Sequence, residues 1–306
     1  MGHRYWSLLA SLVIACSAFV CGSSSSAQVS VQEMLAPGQP PLIGPFRGVA
    51  GGYPESSLAG MAEALSIGAG IIDIQIQISA DGQHVVFHDQ FLNRMTDVEE
   101  VFAQGAPGGP TRDERAGRDY LSDYTLDELR QLHLLVEGVP SEHGIPTLDE
   151  ALDLVDGNSL ALLSLNGFDL ETLVSDLAGR STDHLLIYNV NPEVLQEVVG
   201  ATGLPAFVSI RRSRVFDTSD SIAILDAHVE LLGESIALAH IASSSQMTPE
   251  LLARTEELGI RLSVSGGREN FALEQGDPGP WRQTLTMNAA VFWTTYPEQV
   301  LELLNR

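Results

Sequence analysis

Residues 71–79 read IIDIQIQIS, and this stretch decides the architecture. Ile72, Ile74, Ile76 and Ile78 fall on one face of an extended chain, and Asp73, Gln75, Gln77 and Ser79 on the other. A two-residue period over eight positions predicts a strand with two usable faces. Asp81-Gly82 then turns the chain, and HVVFHD (84–89) runs back, leaving His88 and Asp89 at a strand end.

Working outward, strand-like segments recur at 42–46, 84–87, 160–165, 185–190, 206–210, 236–241, 260–264 and 289–294. Helical patterns fall between them. Thr125 with Glu128 and Thr147 with Glu150 are capping boxes, and Asn191-Pro192 and Thr248-Pro249 place a cap before a first-turn proline. Gly200 and Gly259 are expected stops. Residues 220–232 carry Ile222, Leu225, Val229 and Leu232 at helical spacing. Alternation over about 265 residues predicts one α/β domain, 42–306. A (β/α)8 TIM barrel fits that length, with a doubly wound open sheet as the alternative. No G-x-G-x-x-G turn follows the first strand, so a dinucleotide fold has no local support. In a barrel, the polar face of 71–79 turned inward would carry ligand-handling side chains. The irregular stretch 104–119 is long enough to be a binding loop or lid, or a tolerated insertion.

The 306-residue chain is 44% hydrophobic, enough to bury a core, and its formal charge of −24 argues against a nucleic-acid partner. All 16 basic residues are arginine. Residues 1–27 read as an export signal: His3 and Arg4, an apolar run to Cys21, and Ser25-Ser26-Ala27 as the cleavage site. The mature chain is then exported, periplasmic or secreted, without a transmembrane helix. The alternative is a lipoprotein with a lipid anchor at Cys16, because Val13-Ile14-Ala15-Cys16 is lipobox-like. Both cysteines, Cys16 and Cys21, lie in this segment, so a chain cut after Ala27 has no thiol chemistry. Residues 28–41, rich in proline, read as a linker.

FRGVAGGYPESS (46–57), GAGIIDIQIQISADGQHVVFHDQFLNRMTDV (68–98), YTLDELRQL (124–132) and GIPTLDEAL (144–152) together resemble the glycerophosphodiester phosphodiesterases, most of all their exported, calcium-using branch. The resemblance is specific over 42–154 and weaker beyond. It implies a (β/α)8 barrel that hydrolyses glycerophosphodiesters with bound Ca2+ or Mg2+. It makes Arg47 and His88 the catalytic candidates, and Arg47, Glu55 and Asp89 the substrate-binding candidates. The chemistry is intelligible: an anionic diester needs a cation and an arginine, and the leaving alkoxide needs a proton.

The match then departs from the family. Phe46 stands in place of the first catalytic histidine. Asp73, the remaining metal carboxylate, replaces glutamate. Gln75 and Ser164 occupy the other metal-ligand positions, Asn166 replaces a phosphate-binding lysine, and Thr295 an aspartate. Loss of one acid–base group typically costs about 10²–10⁴-fold in rate. Calcium affinity tracks ligand charge, so weakened metal binding is expected. The resemblance therefore implies a phosphodiester hydrolase with impaired activity, possessing a small phosphodiester or polyol as ligand; the alternative is a non-catalytic envelope binding or scaffold barrel. His240 is a candidate for the barrel mouth, though packing is the expected role, as it is for Trp281 and Trp293.

Overall fold

The computed structural model describes residues 29–48, 52–211, 216 and 218–305. The export signal, its cleavage site and Cys16 lie outside the described residues. The strands are β1 Leu42–Pro45, β2 Ile71–Ile78, β3 His84–Val86, β4 Leu135–Val136, β5 Val139–Pro140, β6 Leu160–Leu165, β7 Leu185–Tyr188, β8 Ala206–Ser209, β9 Ile236–Ile241, β10 Arg261–Ser265 and β11 Val291–Thr294. The helices are α1 Val31–Met34, α2 Leu58–Ser66, α3 Val98–Val101, α4 Leu126–Leu129, α5 Leu148–Val155, α6 Leu170–Leu177, α7 Pro192–Thr202, α8 Ser221–Leu232, α9 Pro249–Glu257, α10 Gly267–Glu274, α11 Gly279–Thr284 and α12 Pro297–Leu304.

Nine strands form one sheet in the order β1-β11-β10-β9-β8-β7-β6-β2-β3. Eight run parallel, and β3 pairs antiparallel on β2. The α/β class agrees with the sequence reading, but the closed eight-stranded ladder does not form: the sheet is an open half-barrel. The opening falls between β1 and β2. There a backbone hydrogen bond, Gly70 N–H to Ile43 O at 3.0 Å, joins the two sides without a strand ladder. The reason is local. β1 is four residues long, Pro45 has no N–H to donate, and the chain leaves the strand at Phe46 for a 3-10 turn.

The isoleucine face of β2 does what its pattern predicts. Ile72, Ile74 and Ile76 are fully buried in the layer between sheet and helices. A second apolar cluster fills the sheet's inner side, with Ile71, Leu160, Leu162, Leu186, Phe207, Leu238 and Trp293. A third, from Val85 to Ile145, lies under the excursion between β3 and α5. Residues 104–119 belong to that excursion. They are fastened by Arg112, which donates to the Phe102 carbonyl at 2.7 Å and to the Asp119 carboxylate at 2.6 Å.

Within the segment read as a linker, the chain forms α1. Ser30 caps it, and Val31 and Leu35 enter the inner cluster beside Leu42. Val31 N–H reaches Asp183 O at 2.8 Å, and Arg261 donates to Ala36 O at 3.2 Å. Both partners precede or begin strands, so α1 plugs the end of the half-barrel where the strands start. The opposite end, where the strands finish, is left for the site.

Candidate functional site

On β2, Asp73 and Gln75 alternate with the buried isoleucines and so face inward. Parallel pairing with β6 sets Ser164 beside Gln75. Ser164 Oγ donates to Asp73 Oδ1 at 2.7 Å, and Gln75 Nε2 donates to Asp73 Oδ2 at 2.9 Å. Burial pushes the Asp73 carboxyl up to about 6, against the opposing effects of Ser164, His88, Gln75 and Arg47.

These three residues line a cavity of about 200 Å³ together with Phe46, Tyr188, Phe207 and Trp293, and with Ser209, Arg211, His240 and Ser265. The aromatic rings support one another. Phe207 meets Tyr188 edge-on at 5.5 Å and stacks on His240 at 5.4 Å. His240 lies between Ser263 and Ser265, at 3.0 and 3.1 Å, and burial pushes its imidazole down to about 3. It is therefore a neutral hydrogen-bonding group over the ordinary pH range.

The remaining candidates form a separate network on the rim. Arg47 sits in the 3-10 turn after β1 with a left-handed φ of 58°. Gly48 beside it also has positive φ, and a Cβ there would lie 3.0 Å from the Asp73 carbonyl, so glycine is needed where this turn crosses β2. Arg47 Nη1 lies 2.6 Å from both oxygens of Glu55. Arg94 donates to the same two oxygens at 3.0 and 2.9 Å, and through Nε to Asp89 Oδ2 at 2.6 Å. Asp89 in turn pairs with His88 Nδ1. Although burial opposes it, Arg94 and Arg47 hold Glu55 below the usual carboxylate range. Arg94 and His88 do the same for Asp89. The His88 backbone carbonyl accepts from Asn166 at 3.3 Å, which ties the rim to β6.

The predicted site residues thus divide into two groups. Asp73, Gln75 and Ser164 converge on the cavity. Arg47, Glu55, His88 and Asp89 assemble beside it, and neither Arg47 nor His88 is among the residues that line it. Arg94, which bridges Glu55 to Asp89, was present in the quoted motif without a role. Tyr188, Phe207, Ser209 and Arg211 were missed. Their signal is positional: each lies in or just beyond β7 or β8, near the end where the site opens. Trp281 is a packing residue, fully buried, whereas Trp293 both packs and lines the cavity.

A divalent cation of the hard type takes six or more oxygens, carboxylates foremost. Here both Asp73 oxygens already accept hydrogen bonds. Among the described residues no group of three His, Cys, Asp or Glu side chains is placed to hold a metal. The residues present do not fit such an ion.

An α/β half-barrel with a small ligand cavity at the strand ends is the class that this geometry defines. Residues 47–171 match the model of the glycerophosphoryl diester phosphodiesterase family. The chain is 33% identical over 128 residues to the glycerophosphodiester phosphodiesterase of Haemophilus influenzae, covering 42% of this chain and 31% of that protein. The matches span less than half the length of such curated relatives. Among solved structures, a putative glycerophosphoryl diester phosphodiesterase from Silicibacter pomeroyi superposes with a TM-score of 0.69 at 22% identity, over 90% of this chain and 97% of that one. An Oleispira antarctica phosphodiesterase in complex with the product sn-glycerol-3-phosphate gives 0.63 at 21% identity, over 87% and 97%. Over residues 47–171 the chain is therefore similar to the glycerophosphodiester phosphodiesterases, and its fold resembles theirs along most of its length.

Proposed function

We propose that this homologue binds a small ligand in its strand-end cavity and does not run the metal-dependent hydrolysis of its relatives at their rates. One observation carries the reading: the carboxylate that should face a metal, Asp73, spends both oxygens on Ser164 and Gln75. A carboxylate with each oxygen already engaged by a side-chain donor, and with its proton affinity raised to about 6 by burial, is a poorer cation ligand than a free one. Phe46, which lines the same cavity, has no proton to transfer. The four aromatic rings, the serine hydroxyls and the Gln75 amide suit a ligand with both polar and apolar parts. Among the described residues no helix is long and apolar enough to cross a membrane. The export signal read in residues 1–27, or a lipid anchor at Cys16, supports a place in the cell envelope or beyond it.

The test is turnover. Purified protein is offered glycerophosphocholine with millimolar Ca2+ or Mg2+, and glycerol phosphate release is followed. The expected result is no release above that of a His88→Ala control. Robust metal-dependent release that His88→Ala abolishes would return the chain to the hydrolases.

A further inference from the structure

The guanidinium at the site is not the one to which the sequence points. Arg47 was expected to hold the anion, yet its Nη1 is bound to both Glu55 oxygens and its residue does not line the cavity. Turning it inward would remove one of two arginines from a partly buried carboxylate. Arg211, immediately beyond β8, does line the cavity, and no other described lining residue carries a permanent positive charge. Its guanidinium lies close enough to favour the ionised form of the Tyr188 phenol, against the larger opposing effect of burial. A phenol beside a guanidinium can accept from it and still keep its own O–H for a further acceptor.

Two more atoms point to a ligand. Ser209 Oγ and Gln75 Oε1 are buried without a hydrogen-bond partner, and both residues line this cavity. Buried polar atoms are nearly always satisfied, so a pair of orphans in one pocket marks places for ligand atoms or water. One orphan, a serine hydroxyl, can donate; the other, an amide oxygen, can only accept.

We infer that the cavity is an oxyanion site built on Arg211, with Tyr188 and Ser209 as further donors and Gln75 Oε1 accepting from a ligand hydroxyl. The ligand class is a singly charged oxyanion, carboxylate or phosphodiester, on a short hydroxylated carbon skeleton that packs against Phe207 and Trp293. A single charge suits the site, because Asp73 shares the cavity and opposes a dianion. This assignment rests on the reading of the chain as a ligand-binding barrel.

Calorimetry in EDTA, where metal-dependent hydrolysis cannot run, tests it with glycerate and with glycerophosphocholine. Binding of either probe is expected, and which one binds separates the two sources of the anion. Arg211→Gln is expected to weaken that binding by about tenfold or more, as for a hydrogen-bonded charge. Arg211→Lys should recover part of it. Arg180→Gln, which removes a charge on the helical side of the molecule, controls for net charge. Thermal unfolding of each variant shows that the fold is kept. The assignment is overturned if neither probe binds the natural protein, or if Arg47→Gln weakens binding more than Arg211→Gln. Turnover with metal would remove the preceding reading, while the EDTA titrations would still decide where the anion sits.

Discussion

Ser164 Oγ donates to Asp73 Oδ1 across 2.7 Å, between adjacent parallel strands. Where a hydrolase of this type would set two carboxylates around a cation, this chain sets a hydroxyl and a carboxyl that satisfy one another. The exchange leaves no group of three His, Cys, Asp or Glu side chains placed to hold an ion among the described residues. It also leaves Asp73 buried, and that burial raises its proton affinity against the opposing effect of the two donors.

The first prediction concerns the metal. The natural protein should give a flat calorimetric trace with Ca2+. The combined variant Phe46→His, Asp73→Glu, Gln75→Asp and Ser164→Glu should bind it, because three neighbouring carboxylates then repel one another until a cation enters. A trace that stays flat for this variant would mean that the backbone does not aim these positions at one point.

A second prediction follows from the protonation of Asp73. Its folded-state value, about 6, lies above the ordinary 3.8, so the folded protein holds the proton more tightly than the unfolded chain. This group therefore favours folding below about pH 4. The contribution declines as pH rises to 6 and is absent as a benefit above it. Asp73→Asn should stabilise the protein at pH 8 by about 1–2 kcal/mol, discounted because the cavity mouth admits solvent. Gln75 can reverse its amide and offer its orphan Oε1 to the new side-chain N–H. Urea unfolding at pH 5 and pH 8 checks this, and a variant less stable than the natural protein at pH 8 would refute it.

The rim makes a third. Arg94 holds Glu55 and Asp89 together with its side chain about half exposed. Exposed pairs are weak singly, but this one is a network, so Arg94→Ala should cost about 1 kcal/mol and less in molar salt. Glu55 and Asp89 have lowered folded-state values, so their contribution exists above the unfolded carboxylate range and is lost as pH falls through the folded one. Stability measured across the acid limb should be flatter in Arg94→Ala. An unchanged acid limb would show that the network is ornamental.

Much of this was legible where chemistry is local. β2, β6 and β9 match their expected bounds to the residue, since alternation or an unbroken apolar run marks a strand. The capping boxes at Thr125 and Thr147 are both present in full. Local signals failed where position in space decides. Gly200 was expected to stop α7, but the helix continues to Thr202 and ends at Gly203, which has the left-handed φ of 71°. On α8 the buried side chains are Ile224, Leu225, His228 and Leu232, so the inward face is rotated from the expected stripe. The convergence of Asp73, Gln75 and Ser164 could be read from alternation and strand order. The engagement of Arg47 by Glu55 and the presence of Arg211 in the cavity could not, because both depend on where loops fold over the strand ends.

The last prediction tests the segment that looked like a linker. Pro37, Pro40 and Pro41 gave the segment its linker look, yet the single helical turn lies before them, and Ser30 capping Glu33 N–H was its local signal. Leu35 is 6% exposed and shares the inner cluster with Leu42, Ile71 and Trp293. If α1 plugs the half-barrel, Leu35→Ala should cost about 2–4 kcal/mol, the range for a buried leucine that leaves a cavity. A free linker residue would cost within about 0.5 kcal/mol. Denaturant unfolding separates the two, provided that the slope is unchanged and only the midpoint moves. A midpoint that did not move would put 28–41 outside the folded unit. It would also leave the strand-start end of the half-barrel open, with Leu42 and Ile71 lacking the cover that their burial requires.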